Sequence, residues 1–131
     1  MIQRDVLLKE FRGESIGEVN ATSSADEAFQ NQVLRPILKL QNDLLVLSFK
    51  NYVSKNKIDF KTKSVEKKLM SIENAVQKDI KYRNALKGMI IGLFTIDEYS
   101  TYIKNSSNLN KRMMGMLIER LKSQAQLFDE Y

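Results

Sequence analysis

A single proline, Pro36, stands in a chain of 131 residues, and only five glycines accompany it. A fold rich in tight turns needs more of both, so an all-β architecture is excluded at the outset. The abundant Leu, Lys, Glu, Gln, Ala and Met lose little side-chain freedom in a helix, and helices are what the chain is expected to make. With 43% hydrophobic and 28% charged residues, the chain has enough apolar surface to fold and too little charge imbalance to stay disordered. Its length suits one domain with a sizeable core.

The hydrophobic spacing assigns the helices. Ile2 to Phe11 reads as a short helix with Val6, Leu7 and Phe11 on one side, and the loop "RGESIGEVNATSS" follows. Ser24-Ala-Asp-Glu27 is a capping box: the Ser24 hydroxyl can accept the Glu27 amide while the Glu27 carboxylate reaches back. From Asp26 to about Ser54 the pattern is helical, with Pro36 as its difficulty. Pro removes one hydrogen bond and clashes with the carbonyl four residues earlier. Either a first helix ends near Gln30 and a second starts near Asn31, or one helix runs on with a kink.

Two apolar rows, Val33/Ile37/Leu40/Leu44/Leu47 and Leu34/Leu38/Leu45/Phe49/Tyr52, predict a wide buried face and a central position. The basic loop "SKNKIDFKTKS" is expected to tuck Ile58 and Phe60 toward the core. Ser64 then caps the longest helix, to about Gly92, along Val65, Leu69, Ile72, Val76, Ile80, Leu86, Ile90 and Leu93. Thr95-Ile-Asp-Glu98 is a second capping box, with Phe94 and Tyr99 placed as a hydrophobic staple for a short helix from Ile96 to about Lys104. "NSSN" starts the last helix, from about Asn108 to Phe128, with Leu109, Met113, Leu117, Leu121, Ala125 and Phe128 inward. The expected fold is an all-α, single-domain bundle of about four main helices plus one or two short ones. Residues 1–23 form a short helix and loop packed on a core built from 24–131.

Several chemistries fall away. There is no cysteine, hence no disulfide framework and no thiol nucleophile, as suits a reducing cytoplasm. There is no histidine, which removes His-based metal sites, Ser-His and Cys-His catalysis, and the usual general base near neutral pH. No phosphate loop, nucleophile elbow or dinucleotide fingerprint occurs. The acids Glu66, Glu73 and Asp79, or Asp97 and Glu98, are diluted by lysines and make a poor metal cage. No catalytic residue, metal ligand or cofactor site is assigned. MIQRDVLLKEF is charged at Arg4, Asp5, Lys9 and Glu10 and lacks a signal-peptide core. The apolar run Met89–Phe94 is far short of the roughly 20 residues that span a bilayer, so a soluble cytoplasmic protein without a membrane role is expected.

Three constellations remain. Residues 50–87 hold eleven Lys or Arg against four Asp or Glu, a net of +7 that accounts for the chain's whole positive excess. Lys55, Lys57, Lys61, Lys63, Lys67 and Lys68 form its densest part, either a solvated face or a patch for nucleic acid or an acidic surface. Arg83 falls on an apolar stripe and needs a carboxylate or must reach out to solvent, with Asp43 as an ion-pair partner ahead of Glu73 and Asp79. With Tyr99 and Tyr102 the same two residues could instead form a small-anion or enzyme site. Gly88-Met-Ile-Ile-Gly92 and Met113, Met114 and Met116 offer close helix packing or an adaptable surface, which makes Met89, Ile91, Phe94, Met114 and Met116 candidate interface residues.

The stretches "EFRGESIGEVN", "FQNQVLRPILKLQNDLL" and "LKGMIIGLFTIDEYSTYIKNSSNLNKRMM" resemble a family of small all-helical bacterial proteins, over nearly the whole chain. Some similar sequences carry a glyoxalase label. Metal-dependent glyoxalases use His and Glu ligands on a βαβββ scaffold, and this chain has neither the His nor the strands. The resemblance therefore implies a helical fold and no site residue. The function expected is non-catalytic, through contacts with another protein or with a second copy of the chain. The alternative is nucleic-acid binding by the Lys-rich middle.

Overall fold

The computed structural model describes residues 2–17 and 24–128. It is all-α. In chain order come α1 (Gln3–Arg12), α2 (Ala25–Phe29), a π-helical turn (Gln30–Leu34), α3 (Arg35–Leu40), α4 (Asn42–Lys55), α5 (Val65–Lys78), α6 (Ile80–Ile91), α7 (Ile96–Ile103), α8 (Ser106–Ser123) and a 3-10 turn (Ala125–Phe128). Among the described residues there is no strand. Part of the expected first loop, residues 18–23, lies outside the described residues.

The helices start where the capping residues stand. Ser24 Oγ accepts the Glu27 amide at 3.0 Å, and Ser64 Oγ accepts the Lys67 amide at 3.2 Å. At Thr95 both halves of the box form: the Glu98 amide meets Thr95 Oγ1 at 3.2 Å and the Thr95 amide meets Glu98 Oε1 at 2.8 Å. The staple differs from expectation. Phe94 packs edge-on against Tyr102 and Phe29, each at 5.6 Å, whereas Tyr99 is exposed.

Pro36 does not break its helix at Gln30. From Ala25 to Leu40 the helix is uninterrupted, and one π turn absorbs the proline. The Arg35 amide reaches five residues back to the Gln30 carbonyl. That skip and the missing N–H of Pro36 free the carbonyls of Asn31 and Gln32. The Ile16 amide takes the first at 2.9 Å, and Arg12 Nη2 approaches the second at 3.5 Å. Gly17, at φ +96°, passes so close that a Cβ there would lie 2.9 Å from Asn31 Cγ.

The helix expected from Ser64 to Gly92 is two helices. Asp79 leaves the helical region (φ −84°, ψ 95°) and caps α6, its Oδ1 accepting the Tyr82 amide at 3.2 Å. Its local capping chemistry outweighs the apolar stripe that runs across it, and Val65 and Ile80 consequently lie exposed. Gln41 has a similar effect upstream. With ψ at 1° it ends α3 and resets the helical phase, so Leu45, Phe49 and Val53 line the core while Leu40, Leu44 and Leu47 face solvent. Of the two predicted rows, the first is therefore buried only at Val33 and Ile37.

The chain groups into two compact units. The first comprises the described parts of Met1–Gln41 with Lys87–Met113, and the second Asn42–Leu86 with the described part of Met114–Tyr131. The first centres on Phe29, Leu34, Ile37, Leu38, Ile90, Phe94 and Leu109. The second centres on a ring cluster: Phe49 meets Phe128 at 4.7 Å and Phe60 at 6.1 Å, and Phe60 meets Phe128 at 5.9 Å. Each buried ring contributes about 1.5–3 kcal/mol through burial, with edge-to-face pairing adding to it. Ile58 is half-buried and Phe60 fully buried, as its loop predicted. Along α8, Leu109, Met113, Leu117 and Leu121 are buried, with Phe128 following in the 3-10 turn. No described helix is long and apolar enough to cross a membrane.

Candidate functional site

In the first unit, α1 is docked by its charges. Arg4 donates to the Phe94 carbonyl at 2.9 Å and to the Gly92 carbonyl at 2.7 Å. Arg12 donates to the Leu93 carbonyl at 3.3 Å. These carbonyls follow α6, where the helix leaves acceptors unsatisfied and negative. Asp5 does the converse: its Oδ2 accepts the Ile96 amide at 3.2 Å, at the positive start of α7. Arg12 also holds Glu98 in a two-pronged ion pair, with Nη1 to Oε1 at 2.5 Å and Nη2 to Oε2 at 2.7 Å.

This pair is secluded, since the Arg12 residue is 8% exposed. Burial pushes the Glu98 carboxyl up, but the Arg12 guanidinium and the Thr95 amide outweigh it and hold the group below the usual carboxylate range. Glu98 thus stays ionised at neutral pH. Beside the pair lies an open cleft of about 620 Å³ flanked by Lys9, Glu14 and Ser15. Arg12 is already paired there with Glu98, so the group acts as a clasp between α1 and α7.

The consequence for α1 is an inversion. An ordinary surface helix turns its apolar stripe inward. Here Asp5, Leu8 and Arg12 are the less exposed residues, and Ile2, Val6, Leu7 and Phe11 are exposed, Phe11 by 71%. Helix α7 continues the pattern with Ile96, Tyr99 and Ile103, spaced to share one side and all exposed. The side of the first helix that carries Val6, Leu7 and Phe11 is therefore turned outward, while Arg12 and Asp5 hold their partners inward.

In the second unit, α4 and α6 bring two tyrosines face to face. The Tyr52 and Tyr82 rings stack at 4.3 Å with 27° between their planes. Tyr52 donates its hydroxyl to Asp79 Oδ2 at 2.8 Å, and the Tyr82 and Ser48 hydroxyls pair at 3.1 Å. Burial, and then the Asp79 carboxylate, push the Tyr52 phenol up to about 12. Burial also pushes Tyr82 up to about 12, against an opposing hydrogen bond from Ser48. Both phenols are neutral at physiological pH. Asp79 is held below its usual range by the Tyr82 amide first and the Tyr52 hydroxyl second. The tyrosines line a cleft of about 310 Å³, and Lys55 and Lys81 stand on its walls.

The remaining candidates disperse. Arg83 does not pair with Asp43. Its Nη1 turns back to the Gln77 carbonyl at 3.4 Å, one of the acceptors that the break at Asp79 leaves at the end of α5. Asp43 sits in the first turn of α4 and accepts from Asn42 at 3.4 Å. Tyr102 is buried and donates to Asn110 Oδ1 at 2.6 Å, with Tyr99 beside it at 5.9 Å between ring centres. Arg83 and Asp43 belong to the second unit and Tyr99 and Tyr102 to the first, each with its own local partners. Of the interface candidates, Phe94 and Met114 are core residues, 2% and 7% exposed, and Met89, Ile91 and Met116 are half-buried. The exposed apolar residues lie elsewhere.

All six lysines of the basic patch belong to the second unit. Lys55, Lys57, Lys61 and Lys67 are exposed, Lys63 is half-buried, and Lys68 lies 5.8 Å above the Phe60 ring. Among the described residues no group of three acidic side chains is placed to hold a metal ion. No protein-family model, curated protein or solved structure matches the chain.

Proposed function

We propose that this is a non-catalytic cytoplasmic protein that works through protein–protein contact, and that the partner it meets is a second copy of itself. The inverted docking of α1 carries this reading. Its arginines and Asp5 are spent inward, which leaves Phe11 largely exposed and Val6 and Leu7 partly so. Clustered exposed apolar residues of this kind favour association by removing their area from water. At the rim, Lys9 and Glu10 carry opposite signs, so a two-fold pair of copies can set each beside its opposite. The absence of cysteine suits a reducing cytoplasm.

Sedimentation equilibrium over the micromolar range tests the reading. The native chain is expected to dimerise, and a Leu7→Ser/Phe11→Ser variant to remain monomeric with unchanged helical circular dichroism. Neither substitution touches the arginines that hold α1. A native chain that stays monomeric throughout, or a variant that dimerises equally well, would overturn the proposal.

A further inference from the structure

The tyrosine cleft of the second unit is part of a larger surface feature. Beside it lies a second hollow of about 640 Å³ that shares Tyr52 and Asp79 and adds Lys63 and Lys78. The two hollows therefore run together, with Lys55 and Lys81 bordering one and Lys63 and Lys78 bordering the other. Tyr52 and Asp79 sit where they meet, Tyr82 stacks on Tyr52 from the first hollow, and Asn51 and Asn56 line that hollow. The segment that supplies these groups carries the chain's whole positive excess.

We propose that this double hollow binds single-stranded nucleic acid, its four lysines meeting phosphates and its tyrosine and asparagine lining receiving bases. The chemistry separates this ligand from simpler ones. A small anion needs cations converging on one point, whereas these are spread over two connected hollows. An acidic protein would use the lysines and leave the aromatic and amide lining idle. A single strand offers what the surface offers in return: repeated negative charge, a flat ring that can extend the Phe49–Tyr52–Tyr82 stack at its Tyr82 end, and edges that amide groups can bond. Lysines without a fixed arginine fork hold phosphates as point charges, which suits binding with little sequence preference. Asp79, whose two oxygens accept from Tyr52 and Tyr82, stays ionised at the shared edge, so the phosphates are placed at the lysines and away from it.

The test is fluorescence anisotropy of a short labelled single-stranded oligonucleotide against the full chain, across a salt series. Four phosphate contacts predict an affinity that falls roughly fifty-fold between about 50 and 200 mM salt. Lys55→Glu with Lys81→Glu is expected to weaken binding by at least about tenfold, since it reverses two of those contacts. Lys104→Glu with Lys111→Glu, exposed lysines of the first unit, is expected to change it by less than about twofold once salt screens distant charge. Circular dichroism confirms that each variant is folded. No binding at low salt would overturn the proposal, as would equal losses in the two variants. Competition by polyglutamate as effective as that by unlabelled oligonucleotide would overturn it too, since it would reduce the site to a general polyanion surface.

Discussion

Helix α1 and the Phe49–Phe60–Phe128 cluster are held in opposite ways. The cluster is dry and apolar, with three rings packed edge to face and none exposed. Helix α1 is held by directed charges at helix ends and by one secluded ion pair, while Ile2, Val6, Leu7 and Phe11 are exposed. Packing of the first kind depends little on pH or salt. The second kind depends on both, because each guanidinium must find its acceptor and Glu98 must stay ionised. One molecule thus contains an anchor that resists solution conditions and an appendage that responds to them.

The largest expected effect breaks the anchor. Phe49→Ala should lower stability by about 4 kcal/mol, the usual cost of emptying a buried aromatic site, as read by urea unfolding. Arg12→Ala comes next. It leaves Glu98 partly buried without its guanidinium, at a cost of about 3 kcal/mol, and the loss should appear first as faster amide exchange in α1. Faster exchange spread evenly over every helix would contradict the idea that Arg12 is local to this clasp.

The smallest effect sharpens the contrast through pH. Glu98 binds its proton less readily folded than unfolded, so its contribution is complete above the ordinary glutamate range of about 4.3 and is lost as pH falls below it. Glu98→Gln should therefore be less stable than the native chain at neutral pH, and the gap should close in acid. The stability cost of Phe49→Ala should remain the same across that range. A gap between the native chain and Glu98→Gln that persists in acid would show that the clasp does not work through ionisation.

Much of the local structure could be read from neighbouring residues. Ser24, Ser64 and Thr95 each accept the amide three residues on, as their spacing implied. The inward stripe of α8 and the burial of Phe60 were equally legible. Asp79 was not, because a strong apolar period ran straight across it and concealed a helix start. The candidate sites were legible only in part. The lysine excess is a matter of composition, but Tyr52 and Tyr82 are 30 residues apart and meet only when α4 and α6 pack. Arg12 and Glu98, 86 residues apart, carry no mutual signal at all.

The sequence alone determined that this chain is helical and where most of its helices begin, because those outcomes rest on hydrogen bonds between residues three to five apart. Tertiary structure decided which way the helices face and where the long ones divide. Pro36 obliges the helix to release two carbonyls, but only folding could bring Ile16 and Arg12 to them. Likewise the apolar residues of α1 prescribe an amphipathic helix, and its orientation was settled by carbonyls and a carboxylate roughly ninety residues away. A periodic pattern states how side chains are grouped around a helix; which group is buried depends on the partners that the rest of the chain brings.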